Sequence, residues 1–263
     1  MEKLYIDQFT DYHTYVQVGE YKIPLPKKPD NSEIINFGLP IEEQVITPTR
    51  YNINGSWIYA HKLTKSIWTK LSESQREEIA RTEWRRRHNG CWYMNGGKLI
   101  YVPGNQYYFI NYWTFPNGTR PVWWDSQWFS FLLTDWAFHH KKILAKVKIK
   151  GRRGGGSAEE DNNCLDYTTK YKGSVSGIMN KNLEEAKKLN FDKIVHALLN
   201  MPEFFQPKRS GEKRPSKEIF FAPPSKRITS KTDADDEDNY APDEYLNSYL
   251  NFIATSEIGY DGD

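Results

Sequence analysis

The chain has almost no cysteine: Cys91 and Cys164 are the two in 263 residues, and neither has a CxxC partner. That leaves no basis for a disulfide framework or a cysteine-type zinc site, and it fits a reducing compartment. A charge excess is also missing, since 36 Lys and Arg stand against 34 Asp and Glu, a formal net charge of +2. Any attraction to nucleic acid must therefore come from local patches. No apolar run approaches the length of a membrane span. The opening Met1-Glu2-Lys3-Leu4-Tyr5-Ile6-Asp7 lacks the apolar core of a secretion signal. These absences predict a soluble, intracellular protein with no membrane partner.

Aromatic residues, by contrast, are plentiful: 9 Trp, 17 Tyr and 13 Phe, too many for a disordered chain. The length suits one large domain or two small ones. Residues 1–55 read as an extended arm, broken by Pro24, Pro26 and Pro29, with a weak strand or hairpin over Tyr12 to Ile23. Residues 56–122 read as an aromatic-rich α+β subdomain. In it, Trp57, Ile58, Leu63, Ile67, Trp68 and Leu71 predict a first helix. Ser72-Glu73-Ser74-Gln75 opens a second helix as a capping box, and Arg85-Arg86-Arg87-His88-Asn89-Gly90 closes it. The three arginines suit a helix end, where the dipole favours cations, and are also candidate nucleic-acid contacts. Asn95-Gly96-Gly97 marks a hairpin, and the aromatic run Tyr107 to Trp113 belongs to a strand-like, buried stretch.

Residues 123–263 carry the candidate site. Trp123 to Lys142 reads as a helix, with Asp125 and Gln127 at its start, and Ile143 to Ile149 alternates as a strand with Ala145, Val147 and Ile149 on one face. Lys150-Gly151-Arg152-Arg153-Gly154-Gly155-Gly156-Ser157 follows, and then a polar helix to Lys172. Strand, glycine-rich turn, hydroxyl and helix is the context in which backbone N–H groups cradle phosphate. The regular pattern G-x-x-x-x-G-K-[ST] is not met: either Ser157 or Gly156 stands where the Lys belongs. The cation must then come from Lys150, Arg152 or Arg153. A basic surface turn is the competing reading. Glu159, Glu160 and Asp161 oppose a phosphate there unless they turn outward. Further on, Gly173 to Met179 predicts a strand, Leu183 to Leu199 an amphipathic helix and Tyr245 to Ala254 a strand. Residues 206–217 form a basic loop and 233–238 an acidic one.

Taken in order, Glu83-Trp84-Arg85-Arg86, Gly90-Cys91-Trp92-Tyr93, Gly104-Asn105-Gln106-Tyr107-Tyr108-Phe109, the glycine-rich loop, Asn200-Met201-Pro202-Glu203-Phe204-Phe205 and Leu246-Asn247-Ser248 resemble the N-terminal ATPase region of the large terminase subunit of tailed bacteriophages, over roughly residues 80–263. The resemblance implies an α/β fold with an incomplete P-loop NTPase sheet of the RecA-like (ASCE) kind. It implies ATP and Mg²⁺ as cofactors, bound by Lys150, Arg152, Arg153, Gly154, Gly155, Gly156 and Ser157, with Ser157 on the metal and Gln127 or Asp125 near adenine. Double-stranded viral DNA, a portal, a small terminase subunit and a homo-oligomeric ring are the implied partners, and the infected host's cytoplasm is the implied location. No apolar run ends in the Asp-Glu pair that such ATPases use for metal and water. The expectation is therefore a segment truncated ahead of its own catalytic carboxylate. The alternative expectation is a non-catalytic nucleic-acid or capsid-binding module built on Arg85, Arg86, Arg87 and the 206–217 loop.

Overall fold

A computed structural model of the protein describes residues 15–140, 145–149, 155–223 and 245–254. The architecture is mixed α/β with small sheets. The chain divides into two compact units, residues 1–113 with 120–159, and residues 114–119 with 160–263.

Among the described residues the first unit holds three antiparallel hairpins together with helices. β1 (Tyr15–Val18) pairs with β2 (Tyr21–Pro24), β3 (Arg50–Ile53) with β4 (Ser56–Tyr59), and β5 (Cys91–Asn95) with β6 (Lys98–Val102). The second of these corrects the helix expected from residue 56. Asn54 and Gly55 both take positive φ, 51° and 83°, the backbone of a tight two-residue hairpin turn. Residues 56–59 are thereby pulled into a strand, and helix is confined to a 3-10 turn (Ala60–Lys62) and α1 (Lys65–Trp68). α2 (Glu73–Asn89) starts and stops where its signals stand: Ser72 and Gln75 exchange capping hydrogen bonds, and Gly90 closes the helix at φ 70°.

The aromatic run expected as a strand is instead α3 (Gly104–Tyr112). All nine of its residues are buried, so the sequence shows no polar face and no helical period. Gly104 sits where α3 meets α2. A Cβ there would fall 2.1 Å from the Arg87 carbonyl oxygen, and a backbone atom cannot rotate away. Gly104→Ala is expected to destabilise the first unit by about 1–3 kcal/mol, read as a lower urea midpoint by tryptophan fluorescence. An unchanged midpoint would refute the close approach. α4 (Asp125–His139) packs its Phe131 ring 5.3 Å from Phe109.

Among the described residues the second unit holds one sheet, ordered β7 (Val175–Asn180), β9 (Ser248–Ala254), β8 (Glu218–Phe221). β7 and β9 run parallel, from Val175 opposite Tyr249 to Asn180 opposite Ala254, and β8 is antiparallel to β9. α5 (Gly156–Lys170) belongs to this unit from Glu160 onward. It packs through polar groups: Thr168 Oγ1 donates to Ser176 Oγ at 2.7 Å, and Ser248 Oγ donates to the Thr168 carbonyl at 2.7 Å. The helix expected over Leu183 to Leu199 is broken into α6 (Leu183–Glu185), a π-helical turn (Ala186–Phe191) and α7 (Asp192–Leu199). Ile194, Val195, Ala197 and Leu198 are buried along it, and Phe191 meets Phe252 of β9 at 4.7 Å. Among the described residues no helix is long and apolar enough to cross a membrane.

Candidate functional site

Of the glycine-rich loop, Gly155, Gly156 and Ser157 are described, while Lys150, Gly151, Arg152, Arg153 and Gly154 lie outside the described residues. Gly155 has φ 69°, a left-handed conformation that glycine adopts without strain. Its Cα faces the buried side chain of Gln127 so closely that a Cβ would lie 2.5 Å from Nε2. Gly156 is buried at the start of α5, and Ser157 is exposed in its first turn. A helix of 15 residues begins here, and its first backbone N–H groups have no helical acceptor. The Gly155 carbonyl accepts from the Glu159 N–H at 3.2 Å. Asp125, the other candidate near the adenine, instead accepts the indole N–H of Trp123 at 2.7 Å.

The segment leading into the loop differs from expectation. Residues 145–149 join no β-ladder, and Val147 and Ile149 are 88% and 96% exposed. Lys146 and Lys148 turn inward instead. The Lys148 ammonium donates to Glu159, and Lys146 lies 4.0 Å from the same carboxylate. Glu159 itself is wholly buried and also accepts from the Ser130 hydroxyl. A buried carboxylate needs a counter-charge more than two aliphatic side chains need cover, so the alternation is read by its lysines. Of the three acidic residues expected to oppose a phosphate, Glu159 points in and is neutralised by lysine, and Glu160 is half-buried.

Asp161 is also turned in, within the second unit. Its Oδ1 accepts from Asn190 at 2.6 Å, and Asn190 in turn accepts from Asn180 at 3.3 Å. Its Oδ2 has no hydrogen-bond partner among the described residues. Burial pushes the carboxyl up to about 7, against the pull of the Asn190 hydrogen bond and Lys193. The π-helical turn carries Asn190 to this contact, and such turns cluster at functional positions. Among the described residues no group of His, Cys, Asp and Glu is arranged to hold a metal ion.

The arginines of α2 separate by environment. Arg87 is fully buried, its guanidinium 4.3 Å from the Tyr108 ring centre and 5.0 Å from that of Trp84; it is core, stabilised by aromatic faces. Arg85 is exposed and pairs with Glu33 at 3.4 Å. Arg86 donates to Glu83 at 3.1 Å and to the Tyr51 hydroxyl at 3.4 Å. Burial works against the Arg86 charge, but Tyr107 and Glu83 outweigh it and hold the guanidinium more firmly protonated than usual.

Behind Arg86 lies a feature the sequence reading missed. Glu83 is completely buried, and its carboxylate accepts from the hydroxyls of Tyr51, Tyr107 at 2.6 Å and Tyr112 at 2.5 Å. Tyr107 also meets Thr49 Oγ1 at 3.1 Å, and Asn111 Oδ1 accepts the Thr49 N–H at 2.7 Å. The available signal was spacing: Ile79, Glu83 and Arg87 stand four apart, hence on one helix face, and that face is buried. In the basic 206–217 loop, Arg209 donates to the carbonyls of Glu212 and Lys213, both at 2.5 Å, so its guanidinium braces the loop. The 233–238 acidic stretch lies outside the described residues. Comparison with family models, curated proteins and solved structures returned no significant match.

Proposed function

We propose that the chain is the nucleotide-binding segment of a DNA-packaging motor of the phage terminase large-subunit kind, with a P-loop type sheet in its second part. The observation that carries this reading is the entry to α5: a left-handed glycine, a buried glycine and an exposed serine in the first helical turn, with the Gln127 amide against the glycine. The parallel pairing of β7 and β9 supports it too. These residues fit a phosphate. Gly155 lets the backbone pass against the Gln127 amide, where a Cβ would clash, and the buried Glu159 beside it is neutralised by lysines. Here the backbone N–H groups of residues 153–157 hold phosphate oxygens, with Lys150 and Arg153 supplying cationic donors. Ser157 offers its hydroxyl to Mg²⁺, and Gln127 borders the nucleotide. Mg²⁺ bound to ATP supplies charge neutralisation on the phosphates. Hydrolysis, coupling to DNA and assembly with a portal, a small subunit and ring neighbours belong to the same proposal.

The test is titration of the full chain with a fluorescent ATP analogue and Mg²⁺. Lys150→Ala and Ser157→Ala are each expected to weaken binding by about ten-fold or more, the loss of one charge-assisted contact or one metal ligand. Wild-type protein that binds no nucleotide, or two variants that bind as well as wild type, would sink the reading. The competing reading, a nucleic-acid module without nucleotide dependence, is favoured by the basic residues around Arg85. It predicts DNA affinity that is indifferent to Mg-ATP.

A further inference from the structure

A cleft of about 170 Å³ opens in the first unit where the Pro26–Glu33 segment faces the end of α2 and the start of β5. Lys27, Arg85 and Arg86 stand on its wall with one acidic residue, Glu33. The arginines have different supports. Arg86 is fixed from behind, one nitrogen on Glu83 and the Tyr51 hydroxyl, and its other N–H groups donate to nothing among the described residues. Among the described residues Arg85 is held only by the half-exposed Glu33 at 3.4 Å, a contact of little net worth in water. Lys27 makes no ion pair or hydrogen bond among the described residues. Trp92, also on the wall, has its indole N–H buried with no acceptor among the described residues.

We propose that this cleft binds a phosphate group, with Arg86 as the fixed fork, Arg85 and Lys27 as mobile cations, and Glu33 as an internal competitor displaced on binding. A guanidinium held by the Glu83 carboxylate and the Tyr51 hydroxyl is pre-organised for a bidentate oxyanion. The cleft is smaller than the roughly 300–1,000 Å³ of whole small-molecule sites, so it suits one phosphate rather than a complete nucleotide. The group is either inorganic phosphate or a diester of a nucleic-acid backbone; the recognition chemistry is the same. The site is separate from the glycine-rich loop and does not depend on the nucleotide reading.

Two probes separate the sources, both applied to the full chain at low salt: inorganic phosphate, followed by ³¹P line broadening, and a short fluorescein-labelled DNA single strand, followed by anisotropy. Lys27→Gln with Arg85→Gln, both exposed positions, is expected to weaken binding about ten-fold or more and to flatten the salt dependence for the strand by about 0.7 per lost contact. Glu33→Gln is expected to tighten binding several-fold, a gain that misfolding cannot mimic. Ser157→Ala is expected to leave both probes unaffected, so failure of the loop reading and failure of this one are distinguishable. Binding of the strand alone assigns the backbone diester; binding of phosphate alone assigns the free anion. If wild type binds neither probe, or if the double variant and Glu33→Gln both bind as wild type does, the proposal is overturned.

Discussion

Glu83→Ala is expected to destabilise the first unit by about 3–5 kcal/mol, the usual cost of removing one partner from a buried charged pair. The arithmetic is one of orphaned donors. Three tyrosine hydroxyls and one Arg86 nitrogen converge on this carboxylate, and all four lose that acceptor when it goes. Each buried polar group left unmet costs about 1–3 kcal/mol, so the estimate is reached even if water re-enters to serve one of them. Glu83→Gln keeps an acceptor oxygen and is expected to lose less. All nine tryptophans, from Trp57 to Trp136, lie in residues assigned to the first unit. Urea unfolding followed by tryptophan emission therefore reports on this unit selectively. A midpoint for Glu83→Ala within about 0.5 kcal/mol of wild type would mean that the tyrosine cage carries no net stability. Burial, reinforced by the Glu83 carboxylate, pushes the Tyr51, Tyr107 and Tyr112 hydroxyls well above the ordinary phenol range. Above about pH 10 the unfolded chain releases these protons while the folded chain keeps them. Wild-type stability should accordingly fall as pH climbs past that value.

The second large effect concerns Asp161. Its carboxyl titrates near 7 when folded against 3.8 as its ordinary value, so the folded state holds a proton that the unfolded state has given up. The stabilisation is complete below about pH 4 and disappears as pH rises to about 7, a swing of roughly 4 kcal/mol at 1.36 kcal/mol per unit. Asp161→Asn removes the ionisable group while leaving an amide to meet Asn190. It is expected to stabilise the second unit at pH 7 and above and to flatten its pH dependence between 4 and 7. Hydrogen exchange of peptides from β7 and β9 would follow this unit without interference from the tryptophans. If wild type and Asp161→Asn show the same pH profile, the Asp161 carboxyl is not held protonated by burial.

What could be read in advance was mostly punctuation. Ser72 with Gln75, Gly90, and Asn95-Gly96-Gly97 act through their own backbones, so they mean the same thing in any fold. The mixed α/β class was also legible, from helical stretches interleaved with short strands. α3 was not, because a helix buried on every side shows no period. The lysine-inward turn of residues 145–149 was hidden for a related reason: alternation fixes which residues share a face but not which face is buried, and a buried Glu159 decided it. The spacing of Ile79, Glu83 and Arg87 marks a buried face, but not the cage around Glu83, because its three tyrosines come from β3 and α3, far away in sequence. At the glycine-rich turn the residue types were readable, while the inward set of Glu159 and Asp161 depended on partners at Lys148 and Asn190.

The strand order β7-β9-β8 has a consequence for how the protein comes into being. β9 is the central strand but the last of the three to be synthesised, and its parallel register with β7 joins Val175 to Tyr249. The first unit's hairpins close over a few residues and can form as soon as they leave the ribosome. The second unit's sheet must wait for a distant segment, and long-range parallel pairing is slow because the loop entropy is lost before the contacts form. Until β9 arrives, β7 and β8 each present a bare edge. The interval between their synthesis and its own is when a nascent chain of this protein is most exposed to mispairing, and when a chaperone would matter most.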